Sequence, residues 1–166
     1  MNIVIRPFAD ADAPSVAEIM YASFKTYLGD LLQKKETPDE WRENLRPLNG
    51  DLIRRAFVAA DEKNTVLGCI ECVIDTRYRL GTLNRIGVSP DAAGKGIGRM
   101  LFEAALDFWQ EHNARKVYTD VSSINPGAKK FYERMGFVAE GILKSHFFDG
   151  VDEYQLSLFL QPPTAK

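Results

Sequence analysis

The sequence predicts one α/β domain in which a mixed sheet carries helices on both sides, and three observations carry that expectation. Apolar runs bounded by turn residues read as strands at Val66–Ile74, Thr82–Val88, Lys116–Val121 and Asp152–Leu160. A 3.6-residue stripe of Ile97, Leu101, Ala104, Ala105, Phe108 and Trp109 marks a long amphipathic helix. Strand and helix signals also meet directly in Arg85–His112. There Ile86-Gly87-Val88 passes through the turn Ser89-Pro90-Asp91 and a glycine-rich loop into that helix. With 166 residues one domain is the natural count, and a chain this long can bury ~70% of its unfolded surface.

The remaining elements follow in order. Ile3–Arg6 alternates as a first strand. Asp10 or Asp12 offers an N-cap, and Pro14 suits the first turn of a helix carrying Val16, Ile19, Met20 and Phe24. Thr26–Thr37 reads as a loop bearing Tyr27, Asp30 and Glu36. Thr37-Pro-Asp-Glu40 is a capping box for a second helix with Trp41, Leu45 and Leu48 on its apolar face. Asn49-Gly50 stops that helix, and Asp51–Arg55 forms a short turn. Ala56–Ala60 and Thr65–Ile74 make a hairpin through Asp61–Asn64, and Arg77–Gly81 turns into the next strand. Asn125 caps a short helix with Pro126 at its first position and Gly136 as its stop. Phe137–Glu140 is extended. Lys144–Phe148 and Asp152–Leu160 flank Asp149-Gly150, a hairpin turn, with Tyr154, Leu156, Leu158 and Leu160 on the buried face. Residues 1–161 form the domain and 162–166 a tail.

Gly94, Gly96 and Gly98 stand where the loop becomes the long helix. Lacking Cβ atoms, they let backbone N–H groups converge, and the helix dipole adds positive potential at the same point. A diphosphate suits that geometry. A Walker A loop is excluded, because Lys95 is followed by Gly96 where Ser or Thr is required. A dinucleotide fingerprint beginning at Gly94 would need glycine where Arg99 stands, although Asp120 lies near the place of its ribose-binding acid. A tight packing turn with no ligand is the remaining alternative.

Composition narrows the class. The formal net charge of −2 argues against a nucleic-acid binder. No apolar run reaches the ~20 residues of a membrane span, and the first residues lack a signal-peptide layout, so a cytoplasmic protein with no membrane partner is expected. Cys69-Ile-Glu-Cys72 has redox or metal spacing. Residues three apart on a strand face opposite ways, however, and His112 and His146 are the only histidines. Two buried, reduced thiols and no metal are expected.

Val88-Ser-Pro-Asp-Ala-Ala-Gly-Lys-Gly-Ile-Gly-Arg-Met-Leu101 resembles the acyl-CoA-binding motif Q/R-x-x-G-x-G/A of the GNAT N-acetyltransferase superfamily. A second block, Asn125-Pro-Gly-Ala-Lys-Lys-Phe-Tyr-Glu-Arg-Met-Gly-Phe137, resembles another motif of that family and follows at the right separation. The resemblance spans Leu83–Phe137 and implies a GNAT-like fold, a mixed and mostly antiparallel sheet of about seven strands. It implies acetyl-CoA as co-substrate, held by Ile86, Gly87, Val88, Ala93, Gly94, Lys95, Gly96, Ile97, Gly98, Arg99, Asn125 and Tyr132. The family's Arg or Gln falls on Ala93, so that side chain's contribution to the phosphates is absent. The segment between the first two helices is implied to line the acceptor site.

Amide formation from a thioester poses two proton problems. An alkyl amine of pKa ~10.4 is neutral in only about one part in 2,500 at pH 7, a cost of ~4.6 kcal/mol. A thiolate of pKa ~8.5 departs much more readily. Deprotonating the amine is the larger demand and calls for a carboxylate, a histidine or a water relay. The resemblance makes Tyr132 the general acid and the Val88 N–H the group that polarises the thioester carbonyl. Family members often carry a glutamate early in this strand, whereas Leu80–Asn84 holds no acid. Glu71, Asp75 and Asp120 are candidate bases, with His146 a further alternative and His112 given no chemistry. The implied activity is direct acetyl transfer to a primary amine: a small molecule, an amino acid, an antibiotic or a peptide N-terminus. A non-catalytic acyl-CoA sensor is the alternative, and a possible homodimer is left open.

Overall fold

The computed structural model of the chain describes residues 2–161, so the expected tail, 162–166, lies outside the described residues. Strands β1 (Val4–Pro7), β2 (Leu48–Asn49), β3 (Leu52–Ala60), β4 (Val66–Asp75), β5 (Leu80–Val88), β6 (Lys116–Ser122), β7 (Val138–Phe148) and β8 (Val151–Phe159) form one sheet. Helices α1 (Ala13–Leu28), α2 (Pro38–Asn44), α3 (Ile97–Glu111) and α4 (Pro126–Arg134) cover it. The strand order is β1-β3-β4-β5-β6-β8-β7, with β2 beside β3. Among the described residues only β5 and β6 pair in parallel; every other ladder is antiparallel. The expected mixed, mostly antiparallel sheet is therefore present, with eight strands.

Two apolar cores lie on opposite faces. On one, Val16, Met20 and Trp41 of the first two helices, with Leu45 just after α2, pack on Val58, Val66 and Cys69. On the other, Ile97, Leu101, Ala105, Phe108 and Trp109 of α3 pack on Ile70, Cys72, Ile74 and Val117. Cys69 and Cys72 thus point to different cores, both buried and unbridged. Burial pushes both thiols well above their ordinary pKa, which leaves them poor nucleophiles and poor ligands. Among the described residues no cluster of potential metal ligands occurs, and no helix is long and apolar enough to cross a membrane.

Several boundaries differ from expectation for identifiable reasons. Thr37 caps α2 through the expected box, its Oγ1 accepting from the Glu40 N–H at 3.2 Å. The helix nevertheless ends at Asn44 and not at Asn49. Pro47 biases the residue before it away from helix, and Leu48-Asn49 forms a short strand that turns through Gly50-Asp51 into β3, pairing Asn49 with Ile53 and Leu48 with Arg54. Leu52–Arg55, within the expected Asp51–Arg55 turn, is accordingly the start of β3, and only Asp51 stays in the bend. Asp12 precedes α1 but makes no side-chain cap; its carboxylate holds Arg6 in two bonds of 2.7 and 2.8 Å and accepts from the Ala9 N–H. α1 runs on to Leu28, which turns the first part of the expected Thr26–Thr37 loop into helix. Val138–Glu140 of the expected Phe137–Glu140 segment and Lys144–Phe148 belong to one long strand, β7, with register shifts inside it.

The feature that makes a site is a fork. β5 and β6 pair over only three residues each, Leu80–Thr82 against Lys116–Tyr118. Beyond that point β5 stays on β4 and β6 stays on β8, so the two parallel strands part. At the crotch, the Thr119 hydroxyl donates to the Leu83 carbonyl at 2.9 Å. A bulge opposite Glu71 and Cys72 leaves Asn84 as an extra residue in β5, bending it further from β6.

Candidate active site

The fork opens into a cleft of about 450 Å³ lined by Asn84–Val88 of β5, Thr119–Ser122 of β6 and Tyr132 of α4. It continues past Val88, Gly98, Asn125 and Phe131 into a groove of about 1040 Å³ over the glycine loop. The edge of β5 facing the cleft has lost its partner. The Ser89 N–H donates to the Leu67 carbonyl at 2.8 Å, on the β4 side. Backbone alternation then turns the amides of Val88 and Ile86 the other way, into the cleft.

At the groove end, Gly94 and Gly96 adopt left-handed φ values of 75° and 77°. Those angles suit glycine, and a Cβ at either would meet nothing within 4 Å. The loop therefore faces open space. Gly98 is different: it lies inside α3, and a Cβ there would touch the Phe131 ring at 3.4 Å. The amides from Gly94 to Arg99 find no acceptor among the described residues, and Gly96 gives α3 no side-chain cap. A run of free N–H groups at a helix start is an anion site.

Every residue expected to hold the cofactor lines the cleft or the groove except Lys95. Its ammonium turns back to the Asp91 carbonyl at 3.3 Å. Arg99 lines the groove while paired with Glu103 at 2.8 Å. Gly87 is glycine because α1 presses on it: a Cβ there would sit 2.7 Å from the Met20 sulfur. Asn125 caps α4 as expected, its Oδ1 accepting from the Ala128 N–H at 3.1 Å, and it also walls both spaces.

Tyr132 is buried, and its ring packs on Phe131 and Phe137 with centroids 5.4 Å away in each case. Burial raises its pKa well above an ordinary phenol, with Thr119 pulling the other way, so it stays protonated. Asp120 lies on the same cleft. Burial raises its pKa, and its Oδ1 is buried without a hydrogen-bond donor. Glu71 sits instead in a side recess, accepting from Asn84 Nδ2 at 2.9 Å and facing Arg54 at 3.2 Å. Asp75 is away from the cleft in an ion pair with Arg77 at 2.7 Å that holds its pKa down. His146 is exposed, its ring against Phe147. His112 closes α3, its Nδ1 2.8 Å from the Phe108 carbonyl.

Sequence reasoning missed Glu153. It is buried on the cleft wall, and burial, with nearby Asp120 adding to it, raises its pKa. The signal was in the alternation of β8. Placing Tyr154, Leu156 and Leu158 on one face puts Glu153 and Gln155 on the other, opposite Ser122 and Asp120 in register. Both faces of β8 are covered, as the burial of Ser157 alongside Leu156 shows. Tyr27, expected in a loop, stands on α1 and walls both spaces. Burial and the charge of Glu153 push its phenol up to about 12. Phe24, Phe147 and Phe148 complete the apolar mouth.

Residues 17–137 match the sequence model of the Acetyltransferase (GNAT) family. The spermidine N(1)-acetyltransferase of Vibrio cholerae serotype O1 is 33% identical over 114 residues, covering 68% of this chain and 66% of that protein. The streptothricin acetyltransferase of Streptomyces lavendulae is 30% identical over 113 residues, covering 68% of this chain and 60% of that protein. The matched stretches thus span just under two thirds of the length of these relatives. A crystal structure of spermidine N-acetyltransferase from Vibrio cholerae, in complex with CoA and spermine, superposes with a TM-score of 0.77. It is 26% identical, and the match covers 95% of each chain.

Proposed function

The chain belongs to the acetyltransferase (GNAT) family, and on that premise we propose that it transfers an acetyl group from acetyl-CoA directly to an amine. The observation that carries the reading is the continuous groove, with the unpaired amides of Gly94–Arg99 at one end and Asp120, whose Oδ1 has no donor, at the other. Acetyl-CoA fits this arrangement in polarity as well as length. Its diphosphate suits the free amides and the helix dipole, and its amide-bearing arm suits the unpaired edge of β5.

In the proposed mechanism the amide of Val88 polarises the thioester carbonyl, where negative charge develops. Asp120 takes the amine's proton, directly or through a water, as nitrogen attacks the carbonyl carbon. It is preferred to Glu71, which already accepts from Asn84 and lies against Arg54. A pKa raised by burial makes Asp120 a stronger base than an ordinary carboxylate. The C–S bond then breaks, and the departing thiolate meets the Tyr132 hydroxyl. A phenol of ordinary pKa ~10 is already a weaker acid than a thiol of ~8.5. Hydrogen bonding to the thiolate, with solvent completing the transfer, is therefore the role assigned to Tyr132.

A small-molecule amine or a peptide N-terminus is the acceptor class. The proposed setting is the cytoplasm, which agrees with two free, buried thiols. A net charge of −2 supports the absence of a nucleic-acid partner.

Acetyl-CoA at about 100 times its Kd is expected to raise the unfolding free energy by ~2.7 kcal/mol, read as a thermal shift, while NAD gives none. Gly96→Val is expected to abolish that shift. The β-branched side chain would occupy the groove, and the left-handed φ of 77° would be forced to relax. The substitution also lowers the unliganded melting temperature, so the ligand-induced increment is the quantity compared. Stabilisation by NAD without stabilisation by acetyl-CoA would overturn the assignment.

A further inference from the structure

Beside the cleft lies a recess of about 390 Å³, reached across Asn84, Arg85, Thr119, Asp120 and Phe147, which wall both spaces. Its floor carries charge that the transfer chemistry does not use. Arg54 Nε and Arg85 Nη1 are buried with no hydrogen-bond acceptor. Glu71, the buried carboxylate between them, serves both imperfectly: it stands 3.2 Å from Arg54 Nε, outside hydrogen-bond alignment, and 3.9 Å from Arg85 Nε. One of its oxygens is already taken by Asn84. Glu36 approaches Arg85 Nη1 only to 3.9 Å and accepts from Asn44 Nδ2 at 2.9 Å. The Arg85 guanidinium is fixed in direction by the Trp41 ring, 4.8 Å below it.

A guanidinium cannot shed its charge, and its planar donors match a carboxylate. Arg85 stands on β5, close to the Val88 amide assigned to the thioester, and Arg54, on β3, shares the recess with it; each has a buried donor without an acceptor. Asp120, whose Oδ1 has no donor, stands on the wall between. The two guanidiniums outnumber Glu71 in the recess by one charge, and Asp120 stands on the side shared with the cleft, a polarity that suits a zwitterion. We infer that the acceptor is an amine that also carries a carboxylate, a free amino acid or a close analogue. Its carboxylate is held by Arg54 and Arg85, and its amino group is presented toward Asp120. The inference rests on the acetyl-transfer reading above and selects one acceptor class within it. A polyamine would bring further positive charge to two unpaired guanidinium donors, and a peptide N-terminus has no carboxylate beside its amine.

The test uses matched pairs: phenylalanine with phenethylamine, leucine with isoamylamine, and spermidine as the polyamine. Each is titrated into the protein saturated with CoA, and each is assayed for transfer with acetyl-CoA. At least one amino acid is expected to bind on the order of 10²-fold more tightly than its amine partner, since the site's charged donors stay unpaired without the carboxylate. Arg85→Gln is expected to erase that difference, and Arg54→Lys, which keeps the charge and loses the fork, to reduce it. Neither should alter acetyl-CoA affinity, which also certifies that the variants fold. Spermidine binding best, or no amino acid binding better than its amine, overturns the inference. Amino-acid binding without acetylation supports the inference and refutes the transfer reading, so the two fail separately.

Discussion

Tyr132→Phe is expected to lower the rate of acetyl transfer about 10²-fold, the low end of what a general acid contributes. The low end applies because a thiolate leaves fairly well unaided. The substitution deletes a hydroxyl and keeps the ring that packs on Phe131 and Phe137. Acetyl-CoA affinity should change by less than ~1.4 kcal/mol, a factor of ten, because the hydroxyl acts mainly in the transition state. Single-turnover transfer across pH, with melting measured on the same sample, separates the chemical role from a packing role. Unchanged turnover would return Tyr132 to the core and leave the proton to solvent.

Asp120→Asn should cost more, toward 10³-fold, because deprotonating the amine is the harder of the two proton transfers. Its pH signature has a definite sign. Asp120 has a folded-state pKa raised by burial. The folded protein therefore holds this proton more tightly than the unfolded chain. That contribution to stability is complete below the unfolded value of ~3.9 and is lost as pH rises through the raised folded value. Removing the carboxylate removes this loss. The variant should gain stability relative to wild type as pH rises from acid toward neutrality, while its activity collapses. Urea midpoints at pH 4 and pH 7 check the sign. A variant less stable by the same amount at both would identify Asp120 as structural. In the wild type, activity should fall as pH drops through the raised pKa, and the variant should lack that limb.

How much of this was legible in the chain depends on the range of the interaction. The glycine loop, the α3 stripe, the Thr37 box and the Asn125 cap are local, and each stands where its residues put it. The opposite orientation of Cys69 and Cys72 followed from strand alternation alone. Asn49-Gly50 went astray because one dipeptide signals both a helix stop and a hairpin, and only the β2–β3 pairing decides between them. The fork between β5 and β6 was invisible, since it depends on where two strands more than thirty residues apart stop pairing. Glu153 was missed for the same reason: its chemistry comes from lying opposite Ser122 across a ladder. The recess arginines belong to β3 and β5, and no spacing in the chain announces that they share Glu71.

The central claim is direct transfer from acetyl-CoA to an amine in one ternary complex. It is tested most directly by following acetyl-labelled acetyl-CoA through a single turnover, with and without an amine mixture containing amino acids. The account expects the label to pass into an amide only when an amine is present, with one thiol freed per amide and none of the label on the protein. Label on the protein would contradict direct transfer, and tight binding with no amide formed would make the chain an acyl-CoA-binding module.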